Sequence, residues 1–311
     1  MNPLSNKTSG GFLGRRQWLL SALLFVFGTQ AAVAQSPVFL WKITSNAGEV
    51  YLLGSIHLAK PDMYPLDARI EEAFRAADNV VVEVNVGGAG TAEQQALALQ
   101  MGVYSDGTTV QDHLSPEAFA RFQGFLEERG LPLMVFQGFR PWMSAATLQI
   151  LEMQRVGFDA EIGIERHFLR LAEQQDKVVH ELETAEFQLR MLAEMPDDLQ
   201  ELFLISTIEE YESFAGRIDE MIASWRIGDS TVLANMLLDD YREKPEMRPL
   251  YQRILIDRNV GMAEKIVDML EGGGKWFVIV GAAHLVGEQG LVEMLQRDAH
   301  GFEVMQVGAA E

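Results

Sequence analysis

The sequence predicts an α/β protein of mixed (α+β) character, with a mixed β-sheet core, flanking helices and large helical insertions. Three observations carry that expectation. Short β-branched apolar runs, the mark of buried strands, recur at wide intervals. Long stretches with apolar residues at helical spacing separate them. The first two strand-like runs are joined by the turn Ser45-Asn46-Ala47-Gly48, which makes them a hairpin.

In chain order, Val38 to Thr44 and Glu49 to Gly54 read as the hairpin strands. Pro65 precedes a helix whose Ile70, Ala73, Phe74 and Ala77 share one face. Asn79 to Val84 is a continuous β-branched run, a buried strand. Residues 90–175 are mostly helical. Ser115-Pro116-Glu117 is a helix start, with an N-cap, a proline at the first position and an acid in the first turn. Gly130 and Pro132 close that helix. Pro141 to Arg155 is a further helix, and another follows Gly157. Lys177 to Leu182 returns to strand character, and Thr184 to Glu271 is helical again, broken at Pro196, Gly228 and Pro245. Lys275 to Val280 is a buried strand, a helix begins near Gly290, and Phe302 to Val307 is a last strand. No linker splits this pattern. We therefore expect a single domain over 35–311 with helical insertions around 90–175 and 185–270.

Residues 1–34 stand apart. A basic stretch ends in Arg15-Arg16, the apolar run Trp18 to Phe27 follows, and Ala32-Val33-Ala34 precedes Gln35. This is the layout of a cleavable signal peptide, with cleavage near Ala34 and a periplasmic or secreted destination. The apolar run is short for a membrane span, so no stable membrane insertion is expected after cleavage. The segment holds Lys7, Arg15 and Arg16 and no acids, leaving 22 basic against 45 acidic residues and a net charge of −23 for the remainder. Such a surface repels phosphate backbones, so no nucleic-acid partner is expected. The chain has no cysteine, which excludes disulfides, zinc–thiolate sites and a cysteine nucleophile.

One internal echo stands out. Tyr51-Leu52-Leu53-Gly54-Ser55-Ile56-His57-Leu58 resembles Val278-Ile279-Val280-Gly281-Ala282-Ala283-His284-Leu285. Each is a strand followed by G-x-x-H-L. In α/β folds, sites gather at the carboxyl ends of strands. His57 and His284 follow two strands, Glu83 lies near the end of a third and Glu183 just past a fourth. If these strands run the same way, two imidazoles and two carboxylates meet at one edge. Gly54 and Gly281 would let the backbone turn sharply and approach a ligand closely.

Two histidines with a carboxylate form a ligand set for Zn, Mn, Fe or Co. Such a metal lowers the pKa of bound water and provides a hydroxide-like nucleophile. A second carboxylate, Glu83 or Glu183, then acts as general base or orients a ligand. Each residue also has a plainer reading. Glu83 interrupts an apolar strand and needs a partner, which a helix arginine would satisfy. Glu183 would serve as a first-turn acid of the next helix. Arg258 and Asn259 contact a substrate, contact Glu83, or form a helix face. Ser55 is grouped with them as a substrate contact. It is disfavoured as a nucleophile because Ala282 occupies the equivalent place and no G-x-S-x-G elbow occurs. His113, His167, His180 and His300 lack a matching context and read as surface or structural.

Together, in this order, the two G-x-x-H-L segments, Val81-Val82-Glu83-Val84, Gly157-Phe158-Asp159, Leu182-Glu183-Thr184, Trp225-Arg226-Ile227-Gly228-Asp229 and Arg258-Asn259 resemble the TraB/GumN family, also called the TraB/PrgY/GumN group. The resemblance covers nearly all of residues 38–307. The family is similar to the Tiki metalloproteases, described as metal-dependent with Mn or Co, and Zn is a further possibility for the ion here. More remotely it is similar to the erythromycin esterase and ChaN-like proteins. The resemblance implies His57, Glu83 and His284 as metal-site positions and Arg258 and Asn259 as neighbours. The expected function is an exported metal-dependent hydrolase, peptidase-like, acting on a peptide or small-molecule substrate, with His57, Glu83 and Glu183 as catalytic candidates. The alternatives are a non-catalytic periplasmic protein that binds peptide, haem or metal, and a metal-free erythromycin-esterase-like hydrolase with His57 as base.

Overall fold

The computed structural model describes residues 36–57, 59–85, 90–297 and 300–309; the signal-like segment and Leu58 lie outside them. The hairpin forms as the turn chemistry requires: β1 (Leu40–Thr44) pairs antiparallel with β2 (Gly48–Ser55). The Ser45 hydroxyl accepts the Ala47 and Gly48 amides at 3.1 and 2.9 Å, which fixes the turn. α1 (Ala68–Ala76) starts at Asp67, whose carboxylate caps the Arg69 amide, and it buries Ile70, Ala73 and Phe74. β3 (Asn79–Val82) follows.

The first helical stretch contains α2 (Gly90–Gly102), α3 (Pro116–Glu128), α4 (Leu133–Phe136), α5 (Pro141–Arg155) and α6 (Ile164–Gln174). Ser115 caps α3 through the Ala118 amide. After β4 (Val178–Glu181) come α7 (Ala185–Ala193), α8 (Asp197–Arg226), α9 (Ser230–Glu243), α10 (Arg248–Tyr251), a π-helical turn at Gln252–Ile256 and α11 (Asp257–Gly272). β5 (Gly274–Gly281), α12 (Leu291–Arg297) and β6 (Glu303–Gln306) complete the chain.

The six strands form one mixed sheet in the order β4-β3-β5-β2-β1-β6. β4, β3, β5 and β2 are mutually parallel, and β1 is reversed, antiparallel to both β2 and β6. Four carboxyl ends therefore share one edge. The parallel strands are apolar runs because helices cover them. Phe74 of α1, Phe168 of α6 and Phe277 of β5 pack against one another in tilted and edge-to-face pairs with ring centroids 5.0 to 5.6 Å apart. A second core lies among the helices, where Phe122, Phe125, Leu126, Phe136, Leu148 and Leu204 are buried between α3, α4, α5 and α8. Among the described residues no helix is long and apolar enough to cross a membrane.

Candidate functional site

The parallel strands run the same way, so the condition attached to the sequence argument is met. β2 ends at Ser55, two residues before His57, and β3 ends at Val82, one residue before Glu83. β5 ends at Gly281, and the short 3-10 turn Ala282–His284 delivers His284. His57, Glu83, His284 and Arg258 all line one cavity of about 680 Å³, within the usual size of ligand pockets.

Both imidazoles are oriented from behind. The Nδ1 of His57 lies 2.6 Å from Oε1 of Glu165, and the Nδ1 of His284 lies 2.5 Å from Oδ1 of Asn259. Asn259 is itself fixed, because its amide nitrogen donates to the Gln289 carbonyl at 2.7 Å. With Nδ1–H donating to an oxygen in each case, both Nε2 atoms are left for the cavity side. Nε2 of His284 lies 3.8 Å from Oε2 of Glu83.

Gly281 shows what these groups surround. A Cβ added there would lie 3.4 Å from Nε2 of His57, 3.6 Å from Cδ2 of His284 and 3.7 Å from Oε2 of Glu83. Three potential ligands thus converge on a gap that any larger residue would fill. They converge without closing: among the described residues no three His, Asp or Glu side chains form a ready metal cage. Neither Gly54 nor Gly281 has positive φ, and the chain turns from β5 into the 3-10 turn directly after Gly281. A Cβ at Gly54 would overlap the Phe39 ring, so that glycine makes room for packing.

The electrostatics follow from the neighbours. Glu165 is the main reason the His57 pKa rises to about 9, with burial opposing and the Glu83 charge assisting. Although 61% of the His57 side chain is accessible, that surface lines the cavity. Burial opposes ionisation of Glu165, but the His57 charge and the hydrogen bonds from His57 and Ser55 hold its carboxyl below the ordinary range. Burial lowers His284 to about 4, with Glu83 opposing. Burial also opposes ionisation of Glu83, yet the charges of His284, Arg258 and His57 and the Gly281 amide bring it to about 2. His284 contributes that charge only in acid. At neutral pH, Arg258 and His57 keep Glu83 ionised.

The π-turn runs directly into α11, which carries Arg258 and Asn259. π-turns often mark functional positions. Arg258 bonds Oε1 of Glu83 and both oxygens of Glu183, the latter at 2.7 to 3.1 Å. Gln188 donates to the same two carboxylates at 2.7 and 2.9 Å. The sequence left a choice for Arg258 between substrate, Glu83 and a helix face, and the structure places it on Glu83. Glu183 sits behind Glu83, with its carboxylate taken up by Arg258 and Gln188. Ser55 is buried, and its hydroxyl donates to Glu165 and to the Val280 carbonyl. The other histidines pair elsewhere, for example His113 with Asp197 and His167 with Glu71.

Sequence reasoning missed Glu165 and Gln188. A signal for Glu165 existed. It shares the buried face of α6 with Phe168, Leu169 and Ala172, and a carboxylate on an apolar helix face needs a partner. Its Oε2 is buried without a hydrogen-bond partner among the described residues.

An uncharacterised protein, YbaP, of Escherichia coli strain K12 is 30% identical over 246 residues, covering 79% of this chain and 87% of the relative. Its Shigella flexneri counterpart matches equally. An uncharacterised Treponema pallidum protein is 22% identical over 270 residues, covering 83% of this chain and 80% of its own length. No solved structure matches. The model of the TraB/PrgY/gumN family matches residues 39–306, a span that begins just before β1 and ends with β6, and the chain belongs to that family.

Proposed function

We propose that the chain is an exported, metal-dependent hydrolase that cleaves a carbonyl compound and is peptidase-like in its chemistry. One observation carries the reading: two imidazoles with oriented Nδ1–H groups and one carboxylate oxygen face a common gap at Gly281. This donor set fits a divalent first-row ion, Mn or Co by the resemblance to Tiki proteases, with Zn also compatible. Nε2 of His57, Nε2 of His284 and Oε2 of Glu83 would hold it. Such an ion supplies Lewis acidity and an acidified water.

The protein's own part is positioning and charge. Glu165 and Asn259 fix the two ring tautomers, an arrangement that also raises ligand basicity. Arg258 bridges Glu83 and Glu183, one cation between two carboxylates, so a buried carboxylate stays ionised at the gap. Both oxygens of Glu183 are engaged, so it acts through Arg258 as a positioning residue, and Glu83, held on Oε1 by Arg258 and Gln188, presents Oε2 to the gap as a ligand. Ser55 donates to Glu165 rather than to Nε2 of His57, so it is not set up as a nucleophile. The signal-like layout of residues 1–34 supports export and action in the periplasm or outside the cell.

The test is metal content. The protein and its His57→Ala and His284→Ala variants are purified without chelator, supplied separately with Mn, Co and Zn, and analysed by mass spectrometry. Near-stoichiometric metal that is lost in both folded variants is expected. Folded protein that takes up none of the three ions would overturn the reading.

A further inference from the structure

The floor of the cavity is polar and its walls are mostly apolar. Above His57, Glu83 and His284 stand Met153 of α5, Met191 of α7, Met221 of α8, Leu237 of α9 and Ile254 of the π-turn. Most polar side chains that reach the cavity are partnered inside the protein, Gln149 only by a long contact of 3.5 Å to Thr207. Gln188 donates to Glu83 and Glu183. Glu152 is bound by Arg155 and Tyr211. Thr207 donates to the Phe203 carbonyl, and Glu210 has a partner as well.

The cavity is also long. Thr207 and Met221 both line it and both lie on α8, about 21 Å apart along the axis at 1.5 Å per residue. The walls above the floor come from helices, whose backbone groups are consumed internally, and they present no strand edge. A peptide laid along them would bury its amides without partners, which is costly. A hydrocarbon chain has no such groups, and flexible methionines adapt to it.

We propose that this cavity is an acyl-chain pocket. The substrate is an ester or amide of an unbranched fatty acid, with its chain against Met153, Met191, Met221, Leu237 and Ile254 and its carbonyl carbon at the floor. The chemistry rests on the hydrolase reading above, whereas the pocket does not. In the step, water oxygen bonds to the carbonyl carbon, the bond from that carbon to the ester oxygen or amide nitrogen breaks, and the leaving atom gains a proton that came from the water. A free fatty acid and an alcohol or amine are released, with no change of oxidation state.

The experiment uses a dansylated fatty acid bound to the full chain and displaced by octanoate, decanoate and dodecanoate. Affinity is expected to rise about fourfold per added methylene until the pocket is full. Met221→Trp, which fills the wall, is expected to weaken dodecanoate at least tenfold more than octanoate, while Met221→Leu preserves the series. Thermal melts establish that both variants are folded. Absence of binding by folded protein, affinity independent of chain length, or better competition by apolar peptides would each overturn the pocket. Chain-length-dependent binding with no cleavage of the matching p-nitrophenyl esters or anilides supports the pocket while counting against the hydrolase. Cleavage with no length dependence overturns the pocket while leaving the hydrolase standing.

Discussion

The two G-x-x-H segments are nearly the same in sequence and nearly opposite in setting. In the sheet, Gly54 pairs with Val280 and Ser55 with Gly281, so the two copies are one residue out of register. Alternate strand residues face opposite sides. Gly54 therefore backs onto Phe39, while Gly281 opens on the gap between His57, His284 and Glu83. His57 meets a carboxylate and holds its proton to about 9, whereas His284 is buried against an amide and loses its proton above about 4. The glycine of the repeated motif is thus used once for packing and once for the site, while both histidines line the cavity. What each copy does is decided by residues far away in the chain, Glu165 and Phe39 for one and Asn259 and Glu83 for the other.

The largest expected effect tests the group that holds Glu83 beside the second copy. Arg258 is buried between Glu83 and Glu183. Arg258→Met leaves two desolvated carboxylates facing each other, and removing one partner of a buried ion pair costs about 3–5 kcal/mol. Arg258→Lys recovers little, because a point charge cannot replace the fork that reaches both acids. Urea denaturation at neutral pH measures this, and a loss below about 1 kcal/mol for Arg258→Met would mean that His57 alone suffices as the counter-charge of Glu83.

Alanine at each glycine contrasts the copies directly. Gly54→Ala pushes into the buried Phe39 ring and should cost about 1–3 kcal/mol by overpacking, with metal affinity retained in the folded fraction. Gly281→Ala meets its neighbours at 3.4 to 3.7 Å, ordinary contact distances, so stability should change little while metal uptake is lost. Denaturation midpoints and metal titrations on both variants give the answer. The same response from both would erase the distinction between the motifs.

Much of this was legible in the sequence where the signal is local. The Ser45–Gly48 turn, the Ser115 cap and the β-branched runs at Asn79 and Lys275 depend on neighbours along the chain, and those elements appear close to where they were expected. Residues at strand ends were legible too, since the parallel order brings His57, Glu83, Glu183 and His284 to one edge. The one-residue slip between the copies was not, because register is set across the sheet. Nor was the service of Glu183 to Arg258, 75 residues away, or that of Glu165 to His57. Both come from insertion helices docking on the sheet edge, and no periodicity along the chain encodes that docking.

A smaller effect is expected one layer out. Outer partners of metal-bound histidines typically contribute ten- to a hundredfold in affinity. Glu165→Gln, which keeps an oxygen for Nδ1–H and removes the charge, should lie near the low end of about tenfold, and Asn259→Leu, which removes the acceptor, near the high end of about a hundredfold. Titrations with Mn and Co on both folded variants check the order. A reversed order would make charge, rather than tautomer, the decisive contribution of the outer partners.

The smallest effect separates the histidines by the sign of their pH dependence in chelator-treated protein. The pKa of His57 is raised from 6.5 to about 9. The folded state holds that proton more tightly, so this contribution is complete below 6.5 and is lost as pH rises toward 9. The pKa of His284 is lowered from 6.5 to about 4. The unfolded chain takes that proton first, so this contribution is present above 6.5 and is lost as pH falls toward 4. Denaturant midpoints measured across both windows should show His57→Gln flattening chiefly the alkaline limb and His284→Gln chiefly the acid limb. If both substitutions flatten the same limb, the two imidazoles share one environment, and the register slip does not separate them as the distances at Gly281 imply.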